Sequence, residues 1–224
     1  MKKLQNPVWQ SLKESHQHFL IDYQGVKFYD PEICIFGAFE NENDTSNALD
    51  EYAKLADRFF LVCEHKTPTY NSETILLEKK IDGYQMVLEN NVSIAITEEI
   101  VQLTNKHIDE VYDLIWLVMP GFYQKRGFEM GTYYGIFKNN KLVAITGQRM
   151  QTDHFIEISG VVTHPDYTRK GYAKQLVSYV TSEILKEKKL PILHTNKGNT
   201  AITLYQNLGF KITRDMNWWL FKKK

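Results

Sequence analysis

The residues best placed to do chemistry stand between Thr168 and Ala173, where Thr-Arg-Lys-Gly-Tyr-Ala sets two cations and a glycine before a stripe of Leu176, Val177, Val180, Ile184 and Leu185. Apolar residues recurring at three- and four-residue steps form one face of an amphipathic helix. The turn therefore lies at a helix N-terminus, where unpaired N–H groups and the positive end of the helix dipole attract an anion. Gly171 lets a diphosphate approach the backbone closely. A single glycine in a basic turn also reads as a plain surface connection, so the neighbouring elements must decide. A second candidate is Glu157, a carboxylate inside the apolar run from Phe155 to Val162. It reads either as a general base or as an edge or salt-bridged carboxylate. His154 and His194 are rival bases, and each also reads as an ordinary structural or surface histidine.

The elements around these residues have a definite order. Phe155, Ile156, Ile158, Val161 and Val162 form a β-branched strand, which His164-Pro165-Asp166 stops because proline cannot donate to a ladder. Period-two alternation puts Glu157, Ser159, Val161 and Thr163 on one face. Beyond the helix and Lys186-Glu187-Lys188-Lys189, the segment Pro191–Thr195 reads as a second strand and completes a βαβ unit. Asn199 is expected to cap a short helix with Ile202, Tyr205 and Leu208 on one face, closed by Gly209 in the left-handed conformation. Phe210 begins the last strand.

Asn199-Thr200-Ala201, Tyr205 and Leu208-Gly209-Phe210, preceded by His164-Pro165-Asp166-Tyr167 and Lys170-Gly171-Tyr172-Ala173, resemble the GCN5-related N-acetyltransferase (GNAT) superfamily, closest to its FR47-like branch. The resemblance implies an α/β fold of the α+β type, with a mixed, mostly antiparallel sheet and a βαβ coenzyme-binding unit. It also implies transfer of an acetyl group from acetyl-coenzyme A to a primary amine of a small molecule or peptide, by direct attack in a ternary complex. The family's phosphate turn usually reads Arg or Gln, two variable residues, Gly, one variable residue, then Gly or Ala. Here Thr168 replaces the long polar residue and Arg169 stands where glycine is common, a position that would be strained if its φ were positive.

The same resemblance distributes the roles. Thr168, Arg169, Lys170, Gly171, Tyr172 and Ala173 are expected to hold the coenzyme phosphates. Backbone groups of Val161, Val162 and Thr163 are expected to bind the pantetheine arm, with one N–H holding the oxyanion, and Asn199 to contact the same arm. Glu157, eleven residues before Thr168, falls where some members carry a general base. Tyr205 matches the tyrosine that protonates the departing thiolate, and a phenol with an ordinary pKa of about 10 keeps its proton at neutral pH; it also reads as a core aromatic. Two other classes stay open, a non-catalytic acyl-coenzyme A binding module and an interaction domain that keeps the fold, as does transfer of a different acyl group.

Composition agrees with such an enzyme. The chain has 224 residues, 43% of them hydrophobic, enough for a packed core. Lys and Arg number 27, as do Asp and Glu, so no overall field draws the chain to nucleic acid or an anionic membrane. Cys34 and Cys63 lie in apolar surroundings and read as buried thiols in a reducing cytoplasm, and neither belongs to a metal spacing. Met1-Lys2-Lys3 opens like a signal peptide, but polar residues from Gln10 to His18 leave no apolar core for one. A cytoplasmic protein without metal is expected.

Residues 1–91 are expected to form an N-terminal α/β portion, either a degenerate half of the same fold or a cap over the substrate, and residues 92–224 the acetyltransferase domain. Strand-like pieces fall within Val26–Phe39, and the polar stretch Asn41–Asn47 leads into a helical stripe of Leu49, Tyr52, Ala53, Ala56, Phe59 and Phe60. Phe60–Cys63, Thr74–Leu77 and Tyr84–Leu88 read as further strands. The polar Glu89-Asn90-Asn91 suggests the boundary. After it, Ile108, Val111, Tyr112, Leu114 and Ile115 predict a helix capped by Asn105 and ending near Pro120-Gly121, on the acceptor side in acetyltransferases. Tyr133–Phe137 and Leu142–Ile145 predict a hairpin turning at Asn139-Asn140.

Overall fold

The computed structural model describes residues 2–41, 43, 45–64 and 66–224; Met1, and Glu42 and Asp44 of the predicted polar stretch, lie outside the described residues. Eleven strands form one sheet in the order β1 (Leu20–Tyr23), β2 (Val26–Tyr29), β3 (Phe36–Phe39), β4 (Arg58–Cys63), β11 (Phe210–Lys223), β5 (Ile75–Leu88), β10 (Leu190–Asn196), β9 (Phe155–Thr163), β8 (Lys141–Gln151), β7 (Tyr133–Lys138) and β6 (Val101–Gln102). Only β3–β4 and β9–β10 run parallel. Five α-helices are described: α1 (Pro7–Lys13), α2 (Thr45–Tyr52), α3 (Ile108–Val118), α4 (Tyr172–Lys186) and α5 (Ile202–Asn207).

The predicted βαβ unit is β9–α4–β10. Leu176, Val177, Val180 and Ile184 of α4 are fully buried against Ile156, Ile158 and Leu193 of the two strands. The predicted hairpin is β7–β8, and its turn has Asn139 and Asn140 at φ 51° and 59°, the paired left-handed residues that a two-residue turn matching strand twist needs. Gly209 closes α5 at φ 93°, and a Cβ there would fall 1.6 Å from the Asn90 carbonyl oxygen, so both conformation and space demand glycine.

Several elements differ from the sequence expectation. The stripe from Leu49 to Phe60 is not one helix: α2 ends at Tyr52, and Phe59 and Phe60 belong to β4. The run Phe59-Phe60-Leu61-Val62 is β-favouring, and it pairs with β11 on one edge and β3 on the other. Phe59 still packs edge-on against Tyr52, with ring centroids 5.1 Å apart, so helix and strand share one core. Thr74 is a turn residue, and Ile75–Leu77 and Tyr84–Leu88 are parts of one long strand, β5. Asn105 does not cap α3; it lies in a 3-10 turn over Asn105–His107, where Thr104 and His107 form a reciprocal capping box.

The polar break at Glu89-Asn90-Asn91 is bridged by the sheet. β5 precedes it, yet β5 is hydrogen-bonded on one edge to β11 and on the other to β10, both of which follow it. The N-terminal aromatic core likewise reaches across, since Phe155 and Ile192 pack in the same buried cluster as Val8, Leu12 and Phe39.

Candidate active site

β9 and β10 pair from Phe155 and Leu190 only as far as Ile158 and Leu193. Past that point β10 continues along β5 to Asn196, while β9 keeps β8 as its neighbour. The two parallel strands thus part in a wedge. At its mouth Gly160 has φ 62° and the pairing of β9 with β8 slips between Ser159 and Val162, a bulge that re-aims the backbone. The bulge breaks the period-two face predicted for Glu157, Ser159, Val161 and Thr163. Ile158, Ser159, Gly160 and Val161 line a cleft of about 260 Å³, whereas Glu157, Val162 and Thr163 do not. Val162 and Thr163 instead pair with Ile145 and Ala144 of β8.

Across the wedge, Leu193 to Asn196, Asn199 and Tyr205 line the same cleft. Asn199 does not cap α5, whose N-cap is Ala201 without a side-chain bond; it shapes the turn before the helix, where its Oδ1 accepts from the Ala201 N–H at 2.9 Å and its Nδ2 donates to Thr195 Oγ1 at 2.8 Å. Tyr205 is 6% exposed, and burial pushes its phenol up to about 12. It therefore holds its proton across the physiological range. The opposite wall was not legible as site: Cys34, Phe36 and Phe60 from the N-terminal strands and the segment before them, Ile115 and Met119 from α3 and its end, and Tyr133 and Trp218.

The predicted phosphate turn sits at the start of the 15-residue α4. Arg169 has φ 61° and Gly171 φ 79°, so the strain anticipated at Arg169 is present, at a cost of about 1 kcal/mol. A Cβ on Gly171 would meet nothing within 4 Å. Glycine is thus required there by conformation, and the space in front of it is open to a ligand. Thr168 Oγ1 is engaged with the Pro165 carbonyl at 3.1 Å, and the Lys170 ammonium lies 4.9 Å from the Tyr167 ring centroid. Tyr172 is buried in the core beneath α4, while Ala173 is half-buried in the first turn. The open glycine, the helix N-terminus and the two exposed cations suit a diphosphate.

Glu157 is the main correction to the predicted site. It is fully buried, and both its oxygens are held by the Arg149 guanidinium, Nε to Oε2 and Nη2 to Oε1, each at 2.7 Å. His194 Nδ1 lies 2.7 Å from Oε1, and the Met150 N–H points at Oε2 from 3.4 Å. Burial opposes ionisation, but the Arg149 charge and these hydrogen bonds outweigh it and hold the carboxyl at about 2. Such a group has no affinity for an amine proton at neutral pH. The salt-bridged reading applies, and a slip in the β8–β9 register between Gln148 and Gln151 aims Arg149 at it.

Neither rival histidine replaces it. His194 is 1% exposed at its side chain, and its Nε2 takes a hydrogen bond from Gln85 Nε2 at 3.0 Å; the same Gln85 nitrogen also donates to the Leu4 carbonyl at 2.9 Å. Glu157, His194 and Gln85 therefore form one buried chain that meets the cleft at His194. His154 is exposed, 3.7 Å from Asp153 and outside the cleft. Arg149 was missed by sequence reasoning. Its signal was an opposite charge on the strand paired with that of Glu157.

Comparison with known proteins agrees with this architecture. A family profile described as FR47-like protein matches residues 133–220. A solved structure from Novosphingobium aromaticivorans, assigned to the GNAT acetyltransferases, superposes with a TM-score of 0.87 and 26% identity over 99% of this chain and 98% of its own. A GCN5-related N-acetyltransferase from Kribbella flavida superposes with a TM-score of 0.64 over 96% of this chain and 95% of its own, at 11% identity, a likeness of fold alone. The UPF0157 protein YqkA of Bacillus subtilis is 28% identical over 79 residues, 35% of this chain and 23% of that relative, so the match spans under a quarter of the relative's length. No described helix is long and apolar enough to cross a membrane. The FR47-like segment spans β7 to β11, and over its full length the chain has the fold of a GNAT acetyltransferase.

Proposed function

We propose that the chain is an N-acetyltransferase that moves an acetyl group from acetyl-coenzyme A to a primary amine. The observation that carries this reading is the convergence of the β9–β10 wedge, Asn199 and the buried phenol of Tyr205 on one cleft. Acetyl-coenzyme A would supply the thioester. Arg169, Lys170 and the backbone from Gly171 to Ala173 hold its phosphates, Val161 and Asn199 meet its pantetheine arm, and N–H groups of the parted β9 edge bind the carbonyl oxygen as it gains charge. The neutral amine forms the new C–N bond, the C–S bond breaks, and Tyr205 gives its proton to the sulfur. The proton lost from nitrogen returns through solvent to the Tyr205 oxygen, so the reaction is proton-neutral. No carboxylate of the described residues lines the cleft, so the amine enters already neutral and the rate should rise with pH toward the amine's own pKa. Val162 and Thr163 serve by anchoring the bulge on β8, and Glu157 by fixing Arg149 and His194.

Residues before the polar break act as the substrate-facing wall, with Cys34, Phe36 and Phe60 contributing to the acceptor end. Two free, buried thiols suit a reducing cytoplasm. Coenzyme A release from acetyl-coenzyme A, measured against a panel of amines, tests the reading. Coenzyme A binding without release for any amine would turn it into the non-catalytic acyl-coenzyme A binding module.

A further inference from the structure

The acceptor end of the cleft is poor in charge. Its walls carry aromatic side chains, among them Phe36, Phe60, Tyr133 and Trp218, with neutral polar groups such as Gln124, and no aspartate, glutamate or lysine of the described residues lines it. The one formal charge in the lining is Arg149, whose guanidinium carbon lies 4.8 Å from the Phe36 ring centroid and whose side chain is 22% exposed. Nε and Nη2 are spent on Glu157, which sits behind the arginine, fully buried. Nη1 makes no hydrogen bond among the described residues. From the cleft, the ion pair therefore presents donors and no acceptor oxygen.

This arrangement selects against cations. A polyamine or a lysine-rich segment would bring ammonium groups into a cleft whose described lining offers no carboxylate and whose one charged lining residue is a cation, and each desolvated charge without a counter-ion is costly. A single amine in such surroundings is pushed toward its neutral form, which is the form that attacks. An anionic group on the same molecule gains the free edge of Arg149. We propose that the acceptor is a monoamine with an aromatic-sized apolar body and a carboxylate, of the class of an apolar α-amino acid. This rests on the acetyl-transfer reading of the same cleft.

The test uses the full chain with four probes: phenylalanine, phenethylamine, spermidine and a lysine-containing peptide. Each is measured by coenzyme A release and by calorimetric binding to the protein saturated with coenzyme A. Phenylalanine should exceed phenethylamine, and phenethylamine should exceed spermidine and the peptide, each by about tenfold or more in kcat/KM. Met119→Glu adds a carboxylate at the exposed lip of the cleft, where Met119 is 41% exposed. That change should move the spermidine-to-phenylalanine ratio upward by about tenfold without loss of folding. Equal or better use of spermidine by the unaltered protein overturns the inference. Should no amine be turned over, binding decides: phenylalanine binding without spermidine binding keeps the acceptor class and removes the transferase reading, while failure of both monoamines to bind overturns the acceptor class.

Discussion

Replacing Glu157 by glutamine separates its structural role from a catalytic one. Its carboxyl is held at about 2 against an ordinary 4.5. At about 1.36 kcal/mol per unit, the ionised form is worth about 3 kcal/mol of folding stability at neutral pH. The sign follows from the depressed value: this stability is fully present above about 4.5 and is lost as pH falls toward 2. Glutamine keeps one acceptor for Arg149 but removes the counter-charge of a largely buried guanidinium, a change that costs about 3 kcal/mol or somewhat more. For a chain of this size that lowers Tm by about 6–12 °C. Urea unfolding of both proteins at pH 7, 5 and 4 is the assay. The gap should be widest at pH 7 and narrow on acidification, because the wild type loses a carboxylate that the variant never had. Turnover, measured where the variant is folded, should fall less than about tenfold, since no proton passes through this side chain. An unchanged Tm together with a collapse in turnover that recovers at high pH would refute this reasoning and restore Glu157 as the base.

Tyr205→Phe keeps the buried ring and removes the proton donor, so turnover at a demonstrated chemical step should drop about 10²-fold or more with little change in coenzyme A affinity by calorimetry. Gly171→Glu places a side chain in open space at φ 79°; it should cost about 1–2 kcal/mol in melting experiments and abolish coenzyme A binding through charge and bulk. His16, whose pKa burial depresses to about 4, donates from Nε2 to the Met130 carbonyl at 2.9 Å. The unfolded chain takes up this proton near pH 6.5, so stability should decline between about 6.5 and 4, and NMR should find the folded His16 ring still neutral at pH 5. A fragment of residues 92–224 lacks β5 and should be insoluble or unfolded by circular dichroism; a soluble fragment with full activity would show that the N-terminal residues are dispensable.

The parts of the fold that were legible in the sequence are those whose pairing partners are near in the chain. The β7–β8 hairpin has its turn residues at Asn139 and Asn140, and β9–α4–β10 has a 3.6-residue stripe between two β-branched runs. The N-terminal strands were harder to read because they are short and their partners are distant: β4 at Arg58–Cys63 pairs with Lys222 to Asn217. The helical stripe misled because Tyr52 and Phe59 do share a core, reached by a turn rather than by continued helix. In the site, Tyr205, Asn199 and Gly171 stood out because caps and turns leave local signatures. Glu157 stood out as well, but the choice between its two readings did not, since its partner Arg149 meets it only through a slip in register, and Val162 and Thr163 were displaced from the cleft by a bulge at Gly160.

β11 has an unusual place between β4 and β5. Remove it, and the sheet falls into a four-stranded piece, β1 to β4, and a six-stranded piece from β5 to β6, each with a long unpaired edge. Its residues, Phe210–Lys223, are synthesised after every other strand. Until β11 emerges a growing chain carries both edges exposed, and the closing step joins segments far apart in sequence, such as Cys63 and Asn217. Contacts of that kind are slow to form and leave intermediates open to edge-to-edge association. The protein should consequently be far more vulnerable to aggregation while being made than once folded, and holding the chain extended until β11 is available should raise the yield of native protein more than any single stabilising substitution in the cores.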